Sequence, residues 1–222
     1  MPKKRKEEEI KIPKSERILN KKYNNFLISG SGRSGTRFLS NLMNKSKTWT
    51  VLHEPGLAGV ENYSNQDQCD KTSQRFLKDN YGEVNSMLRR IFLNIPVSKR
   101  GVLIRNPYDI YLSIANRKDV SYKWIEEFEE SLKIITFALS DKKFKVKRIC
   151  FDKLTTDVNY ANSILKWFGI DDVELTIEDI TTKVNFTLPE NKKYKKIEDL
   201  PKEVQEKVIE VSEQFLENIK ND

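Results

Sequence analysis

The sequence predicts an α/β fold, a single three-layer domain with a central parallel sheet flanked by helices. Short apolar runs typical of buried parallel strands occur at 26–28, 48–52, 101–105 and 147–151. Segments with helical spacing of apolar residues follow each run. Strands that alternate with helices form parallel sheets with right-handed crossovers. At 222 residues, the chain is long enough for one such domain and short for two.

Local signals then place the helices in order. Helices are predicted over 36–44, over 71–93 with a break near 80–82, from Asn106, over 122–140, from Asp157 or Asn159 to Phe168, and from Pro201. Asn106 is a good N-cap, and Pro107 fits the first helical position. Gly169 ends its helix as a residue that tolerates the left-handed conformation.

The first 24 residues are charge-dense and predict a flexible tail before a domain at 25–222. The basic run at 2–6 resembles a nuclear-import signal, although a solvated charge run is the favoured interpretation. No apolar stretch fits a secretory signal or a membrane helix, and Cys69 and Cys150 fit no metal or disulfide framework. We therefore expect a cytoplasmic protein with two reduced thiols. Its net charge of +7 favours anionic partners.

The segment 29–37 is a Gly-rich loop between a predicted strand and a predicted helix. Such loops turn backbone N–H groups inward, and a helix N-terminus adds positive charge, so phosphate binds there. Its candidate binding residues are Gly32, Arg33, Ser34, Gly35, Thr36 and Arg37. A Walker A loop would carry Lys where Thr36 stands and Ser or Thr where Arg37 stands, so ATP-Mg chemistry is not expected. A turn without a ligand remains the alternative.

A second candidate site begins at Arg105, at the carboxyl end of a predicted strand, where open α/β sheets bind ligands. Ser113 lies two turns along the helix that follows. Together these side chains can hold a further phosphate group.

The segment 32–36 resembles the 5′-phosphosulfate loop of the sulfotransferases that use 3′-phosphoadenosine-5′-phosphosulfate (PAPS). The run from Arg105 to Ser113 resembles the 3′-phosphate motif of the same family; Asp109 and Arg117 also fit that motif and are candidates for ordering the turn. In the 5′-phosphosulfate loop, Arg37 departs from the Thr or Ser that is commoner in the family. The resemblance, which spans about 25–170, implies a P-loop NTPase-like sulfotransferase fold. It also implies sulfuryl transfer from PAPS to a hydroxyl or amine acceptor, with PAP (3′-phosphoadenosine-5′-phosphate) as product and no metal.

Sulfuryl transfer needs a base and a cation that neutralises developing charge. Arg33 suits the cation role. By resemblance Glu54, in His53-Glu54-Pro55, is the favoured base, with His53 as the alternative. Strand alternation predicts that these two neighbours point to opposite faces. The use of Glu in glycan-modifying members makes a carbohydrate a candidate acceptor, and a small molecule is another.

Other segments match less well. Residues 56–98 are the expected acceptor region, and the run 149–154 is interpreted as scaffold. The possible acceptor contacts are Tyr63, Arg75, Tyr81, Arg89 and Arg90, and the candidates for a late basic loop over the 3′-phosphate are Asn185, Lys192, Lys193, Lys195 and Lys196. Two other functions remain open: a small P-loop kinase that uses ATP-Mg, and a non-catalytic nucleic-acid binder. The dispersed basic residues make nucleic acid the weaker interpretation, and the sequence does not indicate an oligomeric state.

Overall fold

A computed structural model describes residues 22–55, 66–118, 120–140, 142, 145–182 and 193–220. The fold is α/β, with one sheet of five parallel strands in the order β2-β3-β1-β4-β5. The strands are β1 Asn25–Gly30, β2 Thr50–His53, β3 Tyr81–Val84, β4 Lys99–Ile104 and β5 Lys147–Cys150. The predicted three-layer architecture is confirmed.

The helices cover both faces of the sheet. They are α1 Thr36–Met43, α2 Gln66–Arg75, α3 Pro107–Ala115, α4 Tyr122–Ser140, α5 Phe151–Leu154, α6 Val158–Phe168, α7 Ile177–Thr181 and α8 Lys202–Lys220, with short 3₁₀ helices at Ser86–Arg90 and Ile197–Asp199. Two apolar cores result: one joins α1, α6 and α7 to one face, and the other joins α2, α3, α4 and α8 to the opposite face. None of the helices in the described part of the chain is long and apolar enough to cross a membrane.

Strand β1 shows how the sequence specifies these layers. All six of its residues are buried, as expected for a central strand covered on both faces. Because side chains alternate along a strand, Phe26 and Ile28 join the core with α1 and α6, whereas Leu27 joins the core with α4 and α8. The chain extends from β1 to both sides of the sheet, so the loop after β1 lies at the topological switch point where α/β sheets bind ligands.

The helix predicted over 71–93 is wrong. Helix α2 ends at Arg75, and strand β3 then occupies Tyr81–Val84. This four-residue strand contains Gly82 and Glu83, so neither strand propensity nor alternation marks it. Gly82 is required by tertiary packing, because a Cβ there would overlap the ring of Phe26.

The side chain of Glu83 contacts two polar residues that the sequence analysis assigned to the acceptor site. Its carboxylate is fully buried and accepts hydrogen bonds from Arg75 Nε at 2.7 Å and Arg75 Nη2 at 2.9 Å. Tyr81 Oη donates to it at 2.7 Å, and Asn85 Nδ2 donates at 3.3 Å. Arg75 and Tyr81 are therefore part of a buried network, and their assignment as acceptor contacts is corrected.

Several predictions lie outside the described residues. The tail is described only from residue 22, Tyr63 falls in the gap at 56–65, and Asn185 and Lys192 fall in the gap at 183–192. The side chains of Arg89 and Arg90 are also outside the description. The predicted roles of these residues stay predictions.

Candidate functional site

A cleft of about 620 Å³ opens at the carboxyl edge of the sheet. Parallel strands bring their carboxyl ends to one edge, and residues that follow all five strands line this cleft. The lining residues are Gly32, Arg33, Gly35, Thr36, Arg37, Phe38, His53, Glu54, Ser86, Met87, Arg105, Arg117, Phe151, Thr155, Ile180, Thr181 and Thr182. The lining includes both candidate bases, His53 and Glu54. It also includes seven residues of the two predicted phosphate motifs: Gly32, Arg33, Gly35, Thr36, Arg37, Arg105 and Arg117.

The loop between β1 and α1 has a curled backbone with two residues in the left-handed region. Arg33 has φ 73° and Gly35 has φ 103°. Gly35 is the N-cap of α1, and a Cβ there would overlap the ring of Phe151. Glycine is thus required at this position both by φ and by the aromatic ring that packs against it. Strained backbone that surrounding structure holds in place is common at functional sites.

Hydrogen bonds attach this loop to the scaffold. Ser31 Oγ lies 2.9 Å from Ser131 Oγ on α4, and Ser131 Oγ donates to Phe128 O at 2.7 Å. On the other side of the loop, Thr36, Arg37 and Phe38 in the first turn of α1 line the cleft, and helix geometry leaves their backbone N–H groups without intrahelical acceptors. The positive end of the helix dipole faces the same space.

The two predicted phosphate motifs are in direct contact. Arg33 Nε donates to Ser113 Oγ at 3.0 Å, and Arg105 Nη1 donates to the backbone O of Arg33 at 3.2 Å. The Arg105 guanidinium carbon lies 4.9 Å from the centroid of the Phe151 ring. Motifs separated by 72 residues along the chain therefore form one wall of the cleft.

Positive charge is concentrated in the cleft. Four arginines line it, namely Arg33, Arg37, Arg105 and Arg117. The pKa of Arg33 is lowered by partial burial first, and then by the charges of Arg117, Arg105 and Arg37, with Glu54 opposing them. The arginines thus repel one another, and an anion in the cleft would relieve that repulsion.

His53 and Glu54 line the same cleft, so the expectation that they point to opposite faces is wrong. Strand β2 ends at His53, and Glu54 has φ 46°, which breaks the alternation of the strand. His53 Nε2 lies 3.9 Å from Glu54 Oε1 and shares a hydrogen bond of 3.2 Å with Thr36 Oγ1. Ser86, two residues after the end of β3, donates a hydrogen bond to Glu54 Oε1. The carboxylate is therefore held in position by a neighbouring strand end.

The pKa of His53 is lowered. Burial is the largest cause, and the charge of Arg37 adds to it, while Glu54 acts in the opposite direction. The lowered pKa favours the neutral form of the imidazole.

Two buried polar atoms at the loop have no hydrogen-bond partner among the described residues. They are Ser34 Oγ and Arg105 Nε. Ser34 is fully buried, with its hydroxyl close to Gly30. Buried polar groups are usually satisfied, so unused hydrogen-bonding capacity beside a curled loop and four arginines fits a phosphorylated or sulfated ligand.

The sequence missed several residues of the cleft. Phe151 was interpreted as scaffold, yet it lines the cleft and contacts both Gly35 and Arg105. Ser86, Met87 and the end of α7 carry no local motif, and only the strand order brings them to this edge. Phe151 could have been found from its position at the carboxyl end of a predicted strand.

Comparisons with known proteins leave the family open: no protein-family model and no curated protein matches this chain.

Proposed function

We propose that this protein transfers a sulfuryl group from PAPS to a hydroxyl acceptor. The observation that carries the proposal is the convergence of Arg33, Arg105 and the His53–Glu54 pair on one cleft at the carboxyl edge of the sheet. The cleft offers cations for an anionic nucleotide and a carboxylate for proton removal. PAPS supplies an activated sulfuryl group when bound.

The donor's phosphates fit the wall formed by the two motifs. The loop backbone, the first turn of α1 and Arg33 would hold the 5′ group, because these donors surround one end of the curled loop. Arg105, which lines the cleft, would hold the 3′-phosphate together with Ser113, which contacts Arg33 but lies outside the lining of the cleft. The rings of Phe38 and Phe151, whose centroids are 5.8 Å apart, line the same cleft and offer apolar surface to a purine.

The chemistry assigned to the protein requires few groups. Glu54 takes the proton of the acceptor hydroxyl, and Ser86 holds the carboxylate in place through its hydrogen bond. Arg33 neutralises the negative charge that builds on the leaving group. His53, whose neutral form is favoured because burial lowers its pKa, is the alternative base, although its Nε2 is already engaged with Thr36.

A nucleotide-binding screen tests the donor assignment. The full chain is heated with PAP, PAPS, AMP or ATP-Mg, and the thermal midpoint is recorded. We expect PAP and PAPS to stabilise the protein, by about 2.7 kcal/mol when the ligand is present at 100 times its Kd. AMP should do so far less, because it cannot engage Arg105 through a 3′-phosphate.

The same screen separates the alternatives. Stabilisation by ATP-Mg alone, lost on chelation, would favour the kinase, and equal shifts with PAP and AMP would remove the reason for a PAPS donor. Affinity for DNA or RNA that falls steeply with salt, without any nucleotide effect, would favour a nucleic-acid binder.

A further inference from the structure

Arg37 occupies a distinctive place in the cleft. It is the second residue of α1, it is exposed, and it lines the cleft beside Thr36. The resembled loop commonly carries Thr or Ser here, a residue without charge. Arg37 therefore adds one cation to the three that the other motif positions supply.

Arg37 acts on the end of the cleft where the candidate base lies. Thr36, its neighbour, shares a hydrogen bond with His53, and His53 lies 3.9 Å from the Glu54 carboxylate. Among the four cleft arginines, Arg37 is the one whose charge lowers the pKa of His53. Arg33 and Arg105, by contrast, are linked to each other and to Ser113. The charge of Arg37 also reaches Arg33, but among the cleft arginines Arg37 is the one that adjoins Thr36, the hydrogen-bond partner of His53.

The charge of Arg37 has no acidic partner among the residues that the structure describes. Glu54 is the one acidic side chain in the described lining of the cleft, and its carboxylate is engaged with Ser86 and lies beside His53. A guanidinium without a carboxylate partner is ready to bind an anionic group of a ligand, and it does so with forked, charge-assisted hydrogen bonds.

We propose that Arg37 binds an anionic group on the acceptor, so that the acceptors are hydroxyl compounds that already carry a carboxylate, a sulfate ester or a phosphate ester. This inference rests on the proposed sulfuryl transfer. A negative acceptor would otherwise be repelled by Glu54, and the nearby charge of Arg37 offsets that repulsion. Arg37 is in this view a specificity-determining residue.

The test uses the full chain saturated with PAPS, so that the donor occupies its own anion positions. Inorganic phosphate, glucuronate or glucose is titrated at constant ionic strength, and binding is measured by the shift in thermal midpoint. Phosphate represents the ester groups, glucuronate represents a carboxylate, and glucose is the neutral control. We expect at least one of the two anions to stabilise the wild-type protein and glucose to have no effect.

The variant Arg37→Thr should weaken binding of that anion about 10- to 100-fold, as expected for the loss of a charge-assisted hydrogen bond. Arg37→Lys should retain part of the affinity. Lys47→Thr is the matched control, because Lys47 is exposed and lies outside the lining of the cleft, and it should bind the anion like wild type.

The outcomes distinguish the two proposals. If PAPS itself gives no stabilisation, the proposed function fails and this inference fails with it. If PAPS stabilises the wild type but neither anion adds to the effect, or Arg37→Thr responds like wild type, the acceptor inference alone is overturned. It is also overturned if Arg37→Thr weakens PAPS binding tenfold or more, since Arg37 would then be a donor contact.

Discussion

Two clusters of charged side chains lie next to strand β3, and they differ in how their charges are paired. Within the strand, the buried Glu83 carboxylate accepts hydrogen bonds from Arg75, Tyr81 and Asn85. Beyond its end, Ser86 enters a cleft lined by four arginines and, among the described residues, one carboxylate. The first cluster pairs its buried charge within the protein, whereas the described lining of the cleft contains more positive than negative side chains.

The difference separates scaffold from site. A buried ion must be paired and hydrogen-bonded, and Glu83 meets that condition with three partner side chains. The cleft tolerates a partly buried arginine among other arginines: burial first, and then the neighbouring positive charges, lower the pKa of Arg33. It also contains left-handed residues at Arg33 and Glu54. Repulsion between like charges and left-handed backbone at non-glycine residues persist where a ligand or a reaction uses them. Variants of the two clusters should therefore fail in different ways.

The largest effect is expected for Glu54→Gln, which keeps the shape of the side chain but removes its basicity. Acceptor-dependent release of PAP from PAPS should fall about 10²- to 10⁴-fold, the usual contribution of a general base. Stability and the Kd of PAP should remain close to wild type, because Ser86 can still donate to the amide oxygen. Near wild-type turnover would exclude Glu54 as the base and direct attention to His53.

The next largest effect is expected for Glu83→Ala, in the balanced cluster. Removing the carboxylate leaves the Arg75 guanidinium and the Tyr81 hydroxyl without their acceptor. We expect a loss of about 3 kcal/mol in the free energy of unfolding, at the lower end for a broken buried ion pair because Arg75 keeps some contact with water. Urea unfolding measures this loss.

Lys133→Ala is the control for this stability prediction. It breaks the exposed i,i+4 pair with Glu129 on α4 and should change stability by less than about 0.5 kcal/mol. A Glu83→Ala loss as small as that of the control would contradict the view that the buried cluster supports the fold.

The two clusters also differ in how far the sequence predicts them. The cleft loop has local signals: an apolar run at 26–28, glycines, and a helix with Phe38 and Leu39 at the right spacing. Arg105 and Ser113 could be placed because a strand end and an N-cap with Pro107 follow one another. Positions that depend on one strand and its own helix were therefore predictable.

The balanced cluster and the rest of the cleft depend on contacts between distant segments. Strand β3 is recognisable only through its pairing with β1 and β2, in the register that places Val84 beside Ile28 and His53. The direction of the Glu54 side chain depends on the left-handed backbone conformation of Glu54 itself, directly after β2. Neither strand order nor a single positive φ at a non-glycine residue has a signal in composition or periodicity, so these features could not be predicted.

A smaller effect is expected for Arg105→Ala, which tests whether Arg105 contacts the 3′-phosphate of the nucleotide. Loss of a charge-assisted contact to the 3′-phosphate should weaken PAP binding about 10- to 100-fold. AMP, which lacks that phosphate, should lose much less affinity, and calorimetric titration of both nucleotides measures the difference. Equal losses would mean that Arg105 acts by holding the Arg33 backbone through its 3.2 Å hydrogen bond, not by reading the 3′-phosphate.

The smallest effect concerns the pKa of His53, which responds to the nearby charges of Arg37 and Glu54. His53 is the single histidine of the chain, so its imidazole signal in a proton NMR titration is unambiguous. Burial and Arg37 lower its pKa, and Glu54 raises it, so we expect a midpoint below 6.5 in the wild-type protein. A midpoint at or above 6.5 would show that Glu54 outweighs both other causes.

Two variants then test each cause with opposite signs. Arg37→Thr removes a nearby positive charge and should move the His53 midpoint upward, whereas Glu54→Gln removes the negative charge and should move it downward. Because the folded pKa is the lower one, the unfolded chain binds a proton first as pH falls through 6.5, and the free energy of unfolding decreases there. His53→Asn should remove that part of the pH dependence, and urea unfolding at pH 7.5 and 5.5 compares the two proteins.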